Sequence, residues 1–186
     1  MENGIEGLAR MWAFEAHKDQ SYGPHSYRYH IDKVVEKVNQ YASSADVIAA
    51  AYLHDGPEDT DMTIAEIQEK ISYTCGEIVF LVTDPEGYDN RKERKAALYQ
   101  RFENYDGEEA MVDVVGDIKK AAALVKGADR FCNQKETIDT RNKGSMKMYS
   151  REFPDFIMAY GPWMPKELTH ELFDQFVMLQ RIIFER

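Results

Sequence analysis

The sequence predicts an all-α fold in a single domain. Three observations carry this. Apolar residues recur three and four positions apart over most of the chain. Helix-starting and helix-breaking residues bound those runs. No segment shows a convincing apolar–polar alternation of the kind a half-buried strand needs. With 186 residues, 44% hydrophobic and 30% charged, the chain can build one core without staples and is too apolar to stay disordered.

Leu8, Met11, Trp12 and Ala16 belong to a first helix, broken at Gly23-Pro24. A second is expected over 31–41, with Ile31, Val34, Val35 and Val38 on one face. Asp46 can cap a third over 47–55. That segment is apolar nearly all round, which places it at the centre of the fold. It delivers His54-Asp55 at its C-terminal end, where Gly56-Pro57 interrupts the pattern. Thr63-Ile64-Ala65-Glu66 reads as a capping box opening a short helix. The run Ile78-Val79-Phe80-Leu81-Val82 suits a buried strand or a buried helix. A helix over 75–82 is preferred, because no other segment offers a pairing partner. Residues 83–87 form a loop, and Asn90 caps a long charged helix reaching 105. Asp106-Gly107 is the next break. A further helix carries Asp129 to about residue 134, followed by a linker over 141–144. The last helices cover 145–160 and 166–185, split at Gly161-Pro162, with Pro154 ending or kinking the first of them.

Composition narrows the function. A formal net charge of −10 argues against a nucleic-acid binder. A phosphate substrate would require cations concentrated locally against that field. The longest apolar stretch, 47–53, is too short to cross a bilayer, and the acidic, glycine-broken residues 1–7 do not read as a secretory signal. Cys75 and Cys132 lack metal-motif spacing and read as two reduced thiols of a cytoplasmic protein. Near the C-terminus, Trp163, Phe173, Phe176, Ile182, Ile183 and Phe184 could pack within the chain or across the axis of an oligomer.

Four separated side chains stand out: His30, the pair His54-Asp55, and Asp129. Imidazole nitrogens and carboxylate oxygens together suit a divalent transition metal. Glu58 and Asp59 add free carboxylates beside the pair, which points to hydrolysis by an activated water. A histidine capping its helix is the plain alternative for a lone His-Asp dipeptide. The setting favours the metal: His54-Asp55 ends a very apolar helix, Asp129 follows Ala121-Ala122-Ala123-Leu124-Val125, and buried charge needs a partner or an ion. His25 competes with His30, and the Tyr27-x-x-His30 spacing favours His30.

The order His30, His54-Asp55, Asp129 resembles that of the HD-domain metal-dependent phosphohydrolases. The string His54-Asp55-x-x-Glu58-Asp59-Thr60 is similar to the hydrolase domain of Rel/Spo-type alarmone enzymes. Ala16-His17-Lys18-Asp19-Gln20, Tyr27-Arg28-Tyr29-His30, Val82-Thr83 and the segment from Lys126 to Asn133 extend the likeness over about 8–133. The resemblance implies one HD-type hydrolase domain over 1–186, standing alone without a synthetase. It implies Mn²⁺ held by His30, His54, Asp55 and Asp129, with Glu58 and Asp59 moving protons. It implies a phosphorylated-nucleotide substrate, guanosine tetra- or pentaphosphate, losing its 3′-diphosphate. Another phosphorylated nucleotide (a dNTP, NADPH or a monophosphate) and a non-catalytic metal- or nucleotide-binding module are the alternatives.

On the substrate side, Arg91, Lys92, Arg94 and Lys95 form the densest basic cluster and are expected to hold the diphosphate; a solvated face paired through Glu93 is the other reading. Lys126 and Asn133 share a helical face with Asp129, although Lys126 could snorkel to the surface. Tyr149 matches a nucleotide-facing tyrosine of the family, with core packing as the alternative. One departure stands out. Where alarmone hydrolases carry an Arg-Lys pair whose arginine stacks on guanine, this chain has Ser21-Tyr22. Tyr22 could stack on a purine, but without the cation.

Overall fold

A computed structural model describes residues 4–106 and 115–184. The elements are α1 (Ile5–Ala16), β1 (Ser21–Tyr22), β2 (His25–Ser26), α2 (Tyr27–Val38), α3 (Ala45–Leu53), α4 (Gly56–Asp59), α5 (Ile64–Lys70), α6 (Tyr73–Val82), α7 (Arg91–Glu103), α8 (Val115–Asp139), α9 (Lys143–Tyr160), a 3₁₀ turn (Gly161–Trp163) and α10 (Lys166–Phe184). The architecture is all-α, as the periodicity predicts. The break at Gly107 and the last helix's end at Glu185 lie outside the described residues.

The long helix α8 is the axis. It packs against α2, α3, α6, α9 and α10. Its alanines Ala122, Ala123 and Ala128 and those of α3, Ala49, Ala50 and Ala51, are fully buried, so backbones approach closely. Gly127 is the tightest point. A Cβ there would sit 2.7 Å from Met164 Sδ and 3.0 Å from Leu168 Cδ2. This contact seats α8 on α10, two residues before Asp129.

Local chemistry explains the boundaries. Thr63 and Glu66 form the reciprocal capping box. Ser72 caps α6 by accepting from the Cys75 N–H at 3.0 Å. Asn90 caps α7 through the Glu93 N–H at 3.0 Å. The carbonyls at the end of α6 have no helical partners of their own. Tyr160 donates to Leu81 O at 3.0 Å, Lys126 to Val82 O at 2.7 Å, and Arg101 to Thr83 O. Side chains from three other helices thus close α6 and draw the Lys126 ammonium inward.

The structure differs from the sequence expectations in several places, among them the run of α8 to Asp139, past the expected end near 134, and the start of α9 at Lys143, inside the expected linker. Helix α2 begins at Tyr27, so His30 lies in its first turn. Asp46 does not cap α3; Ser44 holds that position, and Asp46 accepts from the Ser72 hydroxyl, tying α3 to the start of α6. Residues 21–26 pair as a two-residue antiparallel hairpin, Ser21 with Ser26 and Tyr22 with His25, turned by Gly23 at φ 58°. Two residues per strand are too few to show alternation. Of the two outcomes expected at Pro154, an end or a kink, the end does not occur: helix α9 continues through it. A mid-helix proline costs about 3 kcal/mol, and burial of Phe153, Phe156, Ala159 and Tyr160 around it offsets that cost. The C-terminal aromatics divide: Phe173 and Phe176 pack on Phe153, Trp163 packs edge-on against Phe102, and Phe184 is exposed.

Replacing Gly127 by Val should lower unfolding stability by about 2–3 kcal/mol through overpacking, read as a lower denaturant midpoint. An unchanged midpoint would show that α10 yields freely.

Candidate metal centre

Helices α2, α3 and α8 converge on one acidic pocket. The first turn of α2 supplies His30, the end of α3 supplies His54 and Asp55, and the middle of α8 supplies Asp129. His30 and His54 are almost wholly buried, at 2% and 1% exposure. His54 Nδ1 donates to Ala51 O at 2.9 Å, which turns Nε2 into the pocket as the free ring nitrogen. That Nε2 lies 3.0 Å from Asp55 Oδ2 and 3.8 Å from Asp129 Oδ1, yet forms no hydrogen bond among the described residues. His30 Nε2 stands 3.4 Å from the same two oxygens, long for hydrogen bonds.

Two imidazole nitrogens and two carboxylate oxygens therefore crowd one point, and the donors that reach these oxygens from outside are Tyr27 on Asp55 Oδ2 and Asn133 on Asp129 Oδ1. The donor atoms of His30, His54 and Asp55 all lie within 4.8 Å of one another. Neighbouring ligands around an ion about 2 Å from each stand about 3 Å apart, so the spacing suits a divalent cation. Without one, the cluster retains protons. Burial pulls His30 down, but Asp129 and Asp55 outweigh it and lift its pKa to about 10. The same balance raises His54, whose burial is opposed chiefly by Asp55. Asp55 and Asp129 go the other way: burial opposes their ionisation, but the imidazoles hold both carboxyls below the usual range.

The helical turn α4 carries the next carboxylates. A quarter of the Glu58 side chain is exposed (25%). Its Oε1 accepts from the Asp84 N–H at 2.7 Å and lies 3.9 Å from Lys126 Nζ. Burial raises the Glu58 pKa, Lys126 opposes the rise, and Asp84 and Asp55 add to it. The Asp59 carboxylate faces the pocket through Tyr27, whose hydroxyl lies 2.6 Å from Asp55 Oδ2 and 3.0 Å from Asp59 Oδ2. Gln20 donates to Asp59 O at 2.7 Å and fixes the turn from outside.

Cations close the opposite side. Lys126 is 4.0 Å from Asp129 Oδ2. Lys95 donates to Asp84 Oδ1 at 2.6 Å, and Arg94 donates to Asp84 Oδ2 at 3.0 Å. Arg91 binds both oxygens of Glu152, at 2.6 and 3.2 Å, and Arg130 shares Glu152 Oε2 at 3.3 Å. The cavity, about 190 Å³, is lined by Arg91, Lys95 and Lys126 facing Glu58 and Asp129. It adjoins a cleft of about 560 Å³ between α7 and α9, which Arg91 and Lys95 also line, with Lys92 and Arg151 farther out. Of the expected basic cluster, Arg91 and Lys95 reach the pocket, Lys92 lines only the outer cleft, and Arg94 turns to Asp84.

Tyr149 and Asn133 line the pocket, and the Arg130 guanidinium lies 4.8 Å over the Tyr149 ring. Tyr22 also lines it, but its ring stacks on His30 at 4.6 Å and its hydroxyl donates to Asn133 Oδ1 at 2.8 Å. One face of the ring is therefore taken, and a purine could meet only the other. Sequence reasoning missed Tyr27, Asp84, Arg130 and Glu152. Tyr27 left a signal in its spacing from His30, and Arg130 lay within the matching segment from Lys126 to Asn133.

Comparison with protein-family models and with curated proteins finds no match. Among solved structures, the chain matches a metazoan ortholog of SpoT that hydrolyses ppGpp and plays a role in starvation responses. The alignment covers 99% of each chain at 19% identity, with a TM-score of 0.72. The fold is shared with this SpoT ortholog. The resemblance to Rel/Spo-type HD hydrolases and the all-α HD-type architecture, both read from the sequence, agree with that match.

Because His30 keeps its proton up to about pH 10 without an ion, a cation must displace that proton. Affinity for a divalent transition metal should therefore strengthen as pH rises, by up to about tenfold per pH unit for each proton released. Calorimetric titration between about pH 6 and 8 measures this. Affinity independent of pH would contradict the protonated resting state.

Proposed function

We propose that the chain works as one HD-type hydrolase domain, a Mn²⁺-dependent phosphohydrolase that removes the 3′-diphosphate of guanosine tetra- and pentaphosphate. The observation that carries this reading is the facing of two charge layers. Buried acceptors of His30, His54, Asp55 and Asp129 stand against Lys95, Lys126 and Arg91 across one small cavity, in a fold shared with a protein that hydrolyses ppGpp.

His30, His54, Asp55 and Asp129 would hold the ion. Mn²⁺ bound there would supply Lewis acidity and lower the pKa of a water. The remaining work falls to the chain. Lys126 is buried yet keeps its charge: burial works against it, but Glu58 and Asp129 outweigh that and raise its pKa. It draws in a phosphate oxygen. Lys95 and Arg91, braced by Asp84 and Glu152, hold the rest of the diphosphate, with Lys92 and Arg94 adding positive field from the rim. These local cations offset the net charge of −10. Glu58, whose raised pKa brings it toward neutrality, takes the proton of the attacking water. The water oxygen bonds to phosphorus as the bond to the ribose 3′ oxygen breaks, and that oxygen leaves with a proton delivered from Glu58 or Asp59. Asn133 and Tyr149 face the nucleoside.

Action in the cytoplasm fits two free thiols, with Cys132 pushed up to about 12 by burial. It also fits the lack, among the described residues, of a helix long and apolar enough to cross a membrane.

A second reading, hydrolysis of another phosphorylated nucleotide, is favoured by Tyr22. With its ring against His30 and no cation at Ser21-Tyr22, the site lacks the family's guanine clamp.

Purified protein with Mn²⁺ should release diphosphate from ppGpp within a panel that includes dNTPs, NADPH and nucleoside monophosphates. Cleavage of another member alone would favour the second reading, and no cleavage would leave a binding module. Glu58→Gln should retain the metal and slow turnover by about 10²–10⁴-fold; near-normal turnover would remove Glu58 from the mechanism. Burial first, then Lys126, lowers the Lys95 pKa to about 8 despite Asp84. The ammonium is lost as pH rises through that value, so kcat/KM should fall above it. Lys95→Arg, charged throughout, should move that decline to higher pH. An identical decline in both proteins would assign it to another group.

A further inference from the structure

The two imidazoles of the acidic pocket face the same carboxylates but are oriented by different means. His54 is turned by the backbone, through its Nδ1 hydrogen bond to Ala51 O. His30 lacks such a bond among the described residues: its Nδ1 is buried and has no hydrogen-bond partner there. A histidine that binds a metal ordinarily gives its remote N–H to a carboxylate or carbonyl, which fixes the ring. Here the ring is held by aromatic contacts instead. Tyr22 stacks on it at 4.6 Å with planes 21° apart, and Tyr27 meets it edge-on at 5.6 Å.

Tyr22 also reaches a second residue of the cluster. Its hydroxyl donates to Asn133 Oδ1 at 2.8 Å. An amide that accepts at its oxygen presents its NH₂ the other way, and Asn133 Nδ2 donates to Asp129 Oδ1. That oxygen is the one facing both imidazoles. Losing the tyrosine hydroxyl frees the amide to turn, and a turned amide sets a carbonyl against a carboxylate.

We propose that Tyr22 is a positioning residue of the metal centre, setting the His30 ring through its aromatic face and the Asp129 carboxylate through its hydroxyl and Asn133. The hairpin that carries it, turned at Gly23, is then part of the site's scaffold. This gives the Tyr22 departure from the family pattern a role of its own. The inference rests on the metal reading above.

Mn²⁺ affinity, measured by calorimetry on the full chain, tests it. Tyr22→Phe keeps the stack and loses the hydroxyl, so binding should weaken a few-fold. Tyr22→Ala loses both, and binding should weaken by about 10- to 100-fold, while the metal-free melting temperature stays close to that of the unmodified protein. In an Asn133→Ala background, Tyr22→Phe should have no further effect, because its route to Asp129 is already cut. Unmodified protein that takes up no Mn²⁺ would remove the metal reading itself. If the unmodified protein binds and Tyr22→Ala binds equally well, or the Tyr22→Phe loss persists undiminished without Asn133, the role of Tyr22 is overturned while the metal reading stands.

Discussion

Buried lone pairs need something to point at, and this constraint organises the pocket. His54 spends its one N–H on Ala51 O, so its other nitrogen faces Asp55 and Asp129 as an acceptor against acceptors. His30 adds a second nitrogen from across the pocket. Such a group is costly when dry and unpaired. The proton held by His30 relieves it in the metal-free protein, and a divalent cation would relieve it more fully. The surrounding architecture follows from keeping these atoms together: alanine-rich α3 and α8 bring backbones close, and Gly127 lets α8 settle onto α10.

A second layer balances the first. Four cations near the pocket are braced by acids outside the cluster, Lys95 and Arg94 by Asp84 and Arg91 and Arg130 by Glu152, while Lys126 is held by Val82 O. Bracing fixes direction and leaves net positive charge toward the cavity. Asp84 also ties the layers together, because its N–H fixes the Glu58 carboxylate while its own carboxylate holds Lys95. A shift in the loop after α6 would disturb the proposed proton carrier and the phosphate grip at once.

Much of this was legible in the sequence because it is local. A nearly all-apolar helix ending in His-Asp placed polar groups beside the core, and the caps at Thr63 and Asn90 follow from short-range hydrogen bonding. What was not legible is tertiary. Asp46 is a good cap by type, yet Ser72, 26 positions on, captures it. Asp84 sits in a run that reads as a turn, and its pairing with Lys95 depends on how α7 docks. Glu152 serves Arg91 from 61 residues away. Tyr22 was read as a stacking surface for a base; the fold lays one face of that ring on His30 and leaves the other for a base. Pro154 follows the same logic: packing on both sides carries α9 through a residue that breaks helices in isolation.

The most direct test is anomalous diffraction from crystals grown with Mn²⁺. The account predicts one strong peak inside the pocket, about 2 Å from His30 Nε2, His54 Nε2 and oxygens of Asp55 and Asp129. A pocket without that peak, with both imidazoles hydrogen-bonded directly to the carboxylates, would contradict it.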